Sequence, residues 1–172
     1  ESHTDALLRS LTISRLGRAM DSGVNQKAKL IFKMMNDGEQ INPDLRGAIY
    51  AMIAISGNMK EYKILTDKYI RETLHEEKNR IGSALGDFKD KKILKLACDF
   101  AISKHVRIQD AVGILSSVAN NILGRDVWFS FLKKNWKVLI TRYGGGGFTL
   151  SRLVKGIVGS SEERHFEEFK KF

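Results

Sequence analysis

The stretch His75-Glu76-Glu77-Lys78-Asn79 is where the chain comes nearest to a metal-binding helix. In the H-E-x-x-H arrangement two imidazoles stand one helical turn apart and bind zinc, and the glutamate between them serves as base. Here the second imidazole position holds Asn79, a poor zinc ligand. His3, His105 and His165 are single and widely separated in sequence. No metal site is therefore expected, and His75 reads as a surface residue near a helix start.

A second candidate is the run Gly144-Gly145-Gly146-Gly147. Glycines ahead of a helix can turn backbone N–H groups toward an anion. A Walker loop ends in Gly-Lys-Ser/Thr, and Phe148-Thr149 stands in that place. A dinucleotide loop follows a strand, whereas Trp136 to Tyr143 reads as helix. The residues alone leave two readings: a helix stop followed by a tight loop, or a backbone shaped for close approach to something. Cys98 is the only cysteine and lies in the apolar run from Ile93 to Phe100, which favours a buried small side chain over a reactive thiol. Trp128, Phe131 or Leu132, and Trp136 recur at helical spacing and read as inter-helix core, with base stacking beside Lys133 and Lys134 as the weaker alternative. No Ser/His/Asp or Cys/His arrangement stands out, and no pair of carboxylates has an unusual setting.

These residues must be carried by helices, because apolar side chains recur at helical spacing almost throughout. Leu7, Leu8, Leu11 and Leu16 predict a first helix ending near Asp21-Ser22-Gly23, and Ala28 to Met35 predict a second, stopped by Asn36-Asp37-Gly38. Pro43, the only proline, sits where a helix can begin, and Gly57-Asn58 closes the helix that follows it. Tyr62, Leu65, Tyr69 and Ile70 mark the next helix. Further starts are expected near Glu76, Asp90, Gln109, Asp126 and Thr149, with a charged tail helix from Glu162. Alternate helices begin near Pro43, His75 and Arg107, a spacing of about 32 residues at the scale of two-helix repeats. Such units cannot bury their apolar faces alone and stack on neighbours. The expected fold is all-α, an α-solenoid-like array of antiparallel helix pairs of HEAT or armadillo type. Residues 1–172 are expected to form a single helical-repeat domain, a fragment of a longer array.

The chain carries 29 Lys and Arg against 20 Asp and Glu, a formal charge of +9. The lysines are dispersed among acids, as in Asp87-Phe88-Lys89-Asp90-Lys91-Lys92, so the charge reads as a solvated basic surface. It permits an acidic partner, whether nucleic acid, an acidic peptide or another domain. No apolar stretch approaches the ~20 residues of a membrane span, and the first eleven residues do not resemble a cleavable signal. A soluble, cytoplasmic setting without membrane contact is expected.

A set of short segments in fixed order resembles the C-terminal domain of the aminopeptidase N and puromycin-sensitive aminopeptidase family, which includes the archaeal tricorn-interacting factors. They are Leu45-Arg46-Gly47-Ala48-Ile49-Tyr50, Glu77-Lys78-Asn79-Arg80-Ile81 with Ala84-Leu85-Gly86, and Val106-Arg107-Ile108-Gln109-Asp110. Val118-Ala119-Asn120-Asn121 with Gly124-Arg125 follows, then Trp128 and Phe131 to Trp136, then Arg142-Tyr143 with the four glycines and Phe148. The resemblance is specific from about Leu45 onward and looser before it.

The resemblance implies a non-catalytic part of a zinc aminopeptidase. In that family the catalytic domain lies upstream and carries H-E-x-x-H and Gly-x-Met-Glu-Asn, neither of which occurs in this chain. No cofactor is implied here, and zinc belongs to the upstream domain. Implied partners are that catalytic domain, peptide substrates and, for the tricorn-type relatives, a larger protease. The helical domain closes over the zinc site and walls an internal chamber. By position, Gly146 and Gly147 would reach the pocket for the substrate's N-terminal side chain, with Phe148 as an apolar wall. Arg152 would point into the pocket and favour acidic N-terminal residues, the alternative being a surface arginine or a plain helix-end salt bridge. The competing reading is a free-standing basic helical adaptor or nucleic-acid binder; the dispersed lysines and the ordered segments favour the peptidase domain, so nucleic acid is not an expected partner.

Overall fold

The computed structural model describes residues 3–144, 150, 151, 153, 167, 168, 170 and 171. Among them every regular element is helical. The α-helices are α1 (His3–Arg18), α2 (Ser22–Asn36), α3 (Pro43–Ser56), α4 (Met59–Arg71), α5 (His75–Ala84), α6 (Lys91–Ala101), α7 (Ile108–Asn120) and α8 (Arg125–Tyr143). The expected repeat is present, since α3, α5 and α7 begin at Pro43, His75 and Ile108. Helices expected from Thr149 and Glu162 fall mostly outside the described residues.

The starts follow from side-chain caps. The first N–H groups of a helix have no partner within it, and a preceding Asn or Asp oxygen can accept from one. Asp21 accepts from the Val24 N–H, Asn42 from Asp44, and Asp90 from Lys92, at 2.7–2.9 Å. Asn58 accepts from the Lys60 N–H while its own N–H donates to the Glu61 carboxylate at 2.9 Å, a reciprocal cap.

Two helices end in the same way with different residues. After α2, the Gly38 N–H donates to Met35 and the Glu39 N–H to Met34, with Gly38 at φ +95°. After α1, the Met20 N–H donates to Gly17 and the Asp21 N–H to Leu16, with Met20 at φ +64°. Both are the paired-carbonyl stop that needs a left-handed residue. Glycine takes that conformation freely, whereas methionine pays a steric cost.

The chain forms two compact units, residues 1–88 and 89–172. In the first, α3 is central and contributes Ile49, Tyr50, Met52, Ile53 and Ala54 to the core against α1, α2 and α5. At Gly17 of α1 a Cβ atom would lie 2.4 Å from the Met52 side chain, so a larger residue there would require Met52 to move. Phe32 meets Tyr50 edge-on with ring centroids 6.2 Å apart. Arg18 bridges to Asp87 at 2.8 Å, opposing the burial that raises the Asp87 carboxyl.

In the second unit α6, α7 and α8 share one core. Leu94, Ala97 and Cys98 from α6 are buried with Ile114, Leu115 and Val118 from α7, and Trp128, Leu132 and Leu139 from α8. Trp128, Phe131 and Leu132 are buried as their helical spacing predicted, with Trp128 stacked on Phe131 of the same helix at 5.8 Å. Trp136, at the end of that stripe, is only half-buried. Burial pushes the Cys98 thiol up to about 12, so it is a neutral packing group at ordinary pH. The start of α6 lies beside the start of α8 through Lys91 and Asp126, and the end of α8 reaches the start of α7 through Tyr143. Thus α8 runs alongside α6 and against α7.

Two short 3-10 turns, Leu85–Asp87 and Ile122–Gly124, have no counterpart in the periodic pattern. Gly124 explains the second, because a Cβ there would sit 2.2 Å from the Val118 carbonyl oxygen. Only a bare backbone can fold back onto the end of α7.

The two helix stops give opposite expectations. Met20→Gly should raise the unfolding free energy by about 1 kcal/mol, and Gly38→Ala should lower it by about the same amount. Urea unfolding followed by circular dichroism checks both; a destabilised Met20→Gly would show that the methionine side chain outweighs its backbone strain.

Candidate functional site

The segments that carry the family resemblance meet one another in space. The first two meet at Glu77, which is 2% exposed on the inner face of α5. The Tyr50 hydroxyl of α3 donates to one carboxylate oxygen at 2.5 Å. Arg80, one turn along α5, donates to the other at 2.9 Å, and the Arg46 guanidinium lies 3.6 Å from it. Arg46 also donates to the Ile41 carbonyl at 3.1 Å, and Arg80 to Glu76 at 2.5 Å. Burial and then the bond to Glu77 push the Tyr50 phenol far above its usual range, so it remains a donor. A buried carboxylate with two cations and a phenol around it is a clamp between α3 and α5.

The third segment meets the last. Arg107 and Asp110 pair through two bonds of 2.7 and 3.0 Å at the start of α7. The Tyr143 hydroxyl donates to the Ile108 carbonyl at 3.1 Å, tying the end of α8 to that start. Burial raises the Tyr143 phenol. At the next residue the Gly144 N–H donates to Ile140 at 2.6 Å, and a Cβ there would lie 2.5 Å from the same carbonyl oxygen. Gly144 thus ends α8 at a fixed point, from which the glycine run departs. The fourth segment holds the Ile122–Gly124 turn, where Asn121 accepts from the Leu123 N–H at 3.0 Å.

Gly146, Gly147, Phe148 and Arg152, the residues expected to contact substrate, lie outside the described residues. The segment beyond them includes Leu153, which is buried. His75 and Asn79 are both exposed on α5. Among the described residues no three His, Cys, Asp or Glu side chains gather where a metal could bind. Also among them, no helix is long and apolar enough to cross a membrane.

Sequence reasoning named Arg46, Tyr50, Glu77 and Arg80 without foreseeing that they meet. A signal was present: Glu77 shares the inward stripe of α5 with Ile81, four residues on, and a carboxylate on such a stripe must find partners.

Helices paired around buried apolar faces and tied by polar clamps define an all-α helical-repeat domain. The whole chain, residues 1–172, matches the ERAP1-like C-terminal domain family and belongs to it. It is 28% identical to rat (Rattus norvegicus) aminopeptidase N over 169 residues, covering 92% of this chain and 18% of that protein. It is 29% identical to aminopeptidase M1 of Arabidopsis thaliana over 179 residues, covering 98% of this chain and 20% of that protein. Chicken (Gallus gallus) aminopeptidase Ey is 28% identical over 135 residues, 76% of this chain and 14% of that protein. The chain therefore spans about one fifth or less of the length of these relatives.

Removing the Glu77 carboxylate should be costly, because it strands the Tyr50 hydroxyl and two half-buried guanidinium groups. Glu77→Ala should cost about 3 kcal/mol and Glu77→Gln clearly less, since the amide oxygen still accepts from Tyr50. Equal losses in urea unfolding would mean that side-chain volume, and not the bonding, holds α3 to α5.

Proposed function

We propose that this chain is the non-catalytic C-terminal domain of a zinc aminopeptidase that removes N-terminal residues from peptides. The observation that carries the reading is the family match over all 172 residues together with relatives of which it covers about a fifth. In this account residues 1–172 act as one helical domain beside an upstream catalytic domain of the same protein. The zinc and the catalytic groups belong to that upstream domain, and the helical domain forms part of the wall of the peptide chamber.

The glycine run is the segment we assign to substrate. Tyr143 and Gly144 hold its entry in place, through the bonds to Ile108 and Ile140. From that fixed base Gly146 and Gly147 bring backbone close to the peptide's N-terminal side chain, and Phe148 supplies an apolar wall. Arg152 pairs with a carboxylate on that side chain, a charge-assisted contact of two parallel bonds. The parent enzyme then prefers acidic N-terminal residues. The setting we assign to it is cytoplasmic.

The test is the rate of cleavage of glutamyl and leucyl substrates by the full-length enzyme, with and without Arg152→Ala. The glutamyl-to-leucyl ratio of kcat/KM should fall by about tenfold, the scale of one charged hydrogen-bonded pair. An unchanged ratio would remove Arg152 from the account and leave the domain assignment standing.

A further inference from the structure

The formal charge is divided very unevenly between the two compact units. Residues 89–172 hold 16 of the 29 Lys and Arg and 8 of the 20 Asp and Glu, and so carry +8 of the +9. Within that unit α6 and α8 lie side by side and leave a cleft of about 410 Å³ between them. Val127 and Phe131 of α8 supply its apolar lining, and Lys91, Lys92 and Lys95 of α6 face Lys134 of α8 across it. Asp126 is engaged by Lys91 at 3.4 Å, and Asp99 is the other acid on the lining. Among the described residues no carboxylate forms an ion pair with Lys92, Lys95 or Lys134.

We propose that this cleft docks a short acidic peptide segment of another polypeptide, with Leu or Phe side chains between its Asp and Glu residues. Apolar side chains of the peptide enter between α6 and α8 against Val127 and the alkyl stems of the lysines, over the buried Phe131, and its carboxylates meet the lysine ammonium groups at the rim. The lysines on α6 stand at i, i+1 and i+4, so they share one side of the helix and present a row of charge. Nucleic acid suits the cleft less well, because Phe131, the one aromatic residue on the lining, is buried and offers no ring face for a base to stack on. A second copy of the chain is disfavoured by the charge that both copies share.

The cleft extends from Lys91 to Asp99 along α6, about 12 Å at 1.5 Å per residue, and a peptide of about twelve residues covers it. The experiment measures fluorescence anisotropy of a labelled peptide of that length built from Glu and Leu, titrated with the 172-residue chain. A Lys and Leu peptide and a single-stranded oligothymidylate are measured in parallel. The Glu/Leu peptide should bind, and the double variant Lys92→Glu/Lys95→Glu should weaken it about tenfold, the sum of two exposed pairs turned repulsive. Ser130→Trp, which fills the cleft from an exposed position without altering charge, should weaken it by a similar factor. Lys104→Glu, an equal charge change at an exposed residue outside the lining, should leave it within twofold. Circular dichroism and thermal melting should be unchanged in all the variants, because the altered side chains are exposed. Three results would overturn the proposal: no binding of the Glu/Leu peptide, loss at Lys104→Glu as large as at the cleft, or tighter binding of oligothymidylate that Ser130→Trp leaves intact.

Discussion

Helices of ten to nineteen residues, the range from α5 to α8, are marginal when isolated in water. Each must therefore bury an apolar face on a neighbour, and that constraint governs the rest of the molecule. It explains why α3, in the middle of the first unit, presents apolar residues on several sides, while α6 is strongly two-faced, with Ile93, Leu94, Ala97 and Cys98 inside and its lysines outside. It also explains the bare backbone at Gly124, where the chain folds back on Val118 too closely for a Cβ.

Apolar burial is non-directional and does not by itself set which turn of one helix faces which turn of the next. The polar contacts supply that registration. Tyr50 and Arg46 meet Glu77 from one helix to another, and Tyr143 reaches the first residue of α7 from the last of α8. These residues lie in the segments by which the chain resembles its family, so much of that shared pattern is structural. Each contact joins groups on two different helices.

Much of the fold was legible from residue order. The starts at Pro43, His75 and the Arg107–Ile108 boundary follow from helical periodicity, and Asp21, Asn42, Asn58 and Asp90 cap their helices as their types suggest. The stop at Met20 was not legible, since a methionine at positive φ has no sequence signature and depends on the packing around it. The Ile122–Gly124 turn escaped for a similar reason: the need for glycine comes from Val118, which periodic patterns do not relate to it. The Glu77 cluster joins residues 27 apart in the chain, and such pairings emerge only when helices are placed side by side. The cleft beside α6 was equally invisible, because its lysines read in sequence as part of a dispersed basic surface.

The central claim, that this chain is a supporting domain of an aminopeptidase, is tested most directly by activity and zinc content. Both are measured on purified residues 1–172, alone and mixed with the upstream portion of the parent protein. The account predicts neither aminopeptidase activity nor stoichiometric zinc for the chain alone, and a changed activity of the upstream portion on mixing. Activity with one zinc per chain in the isolated 172 residues would contradict it.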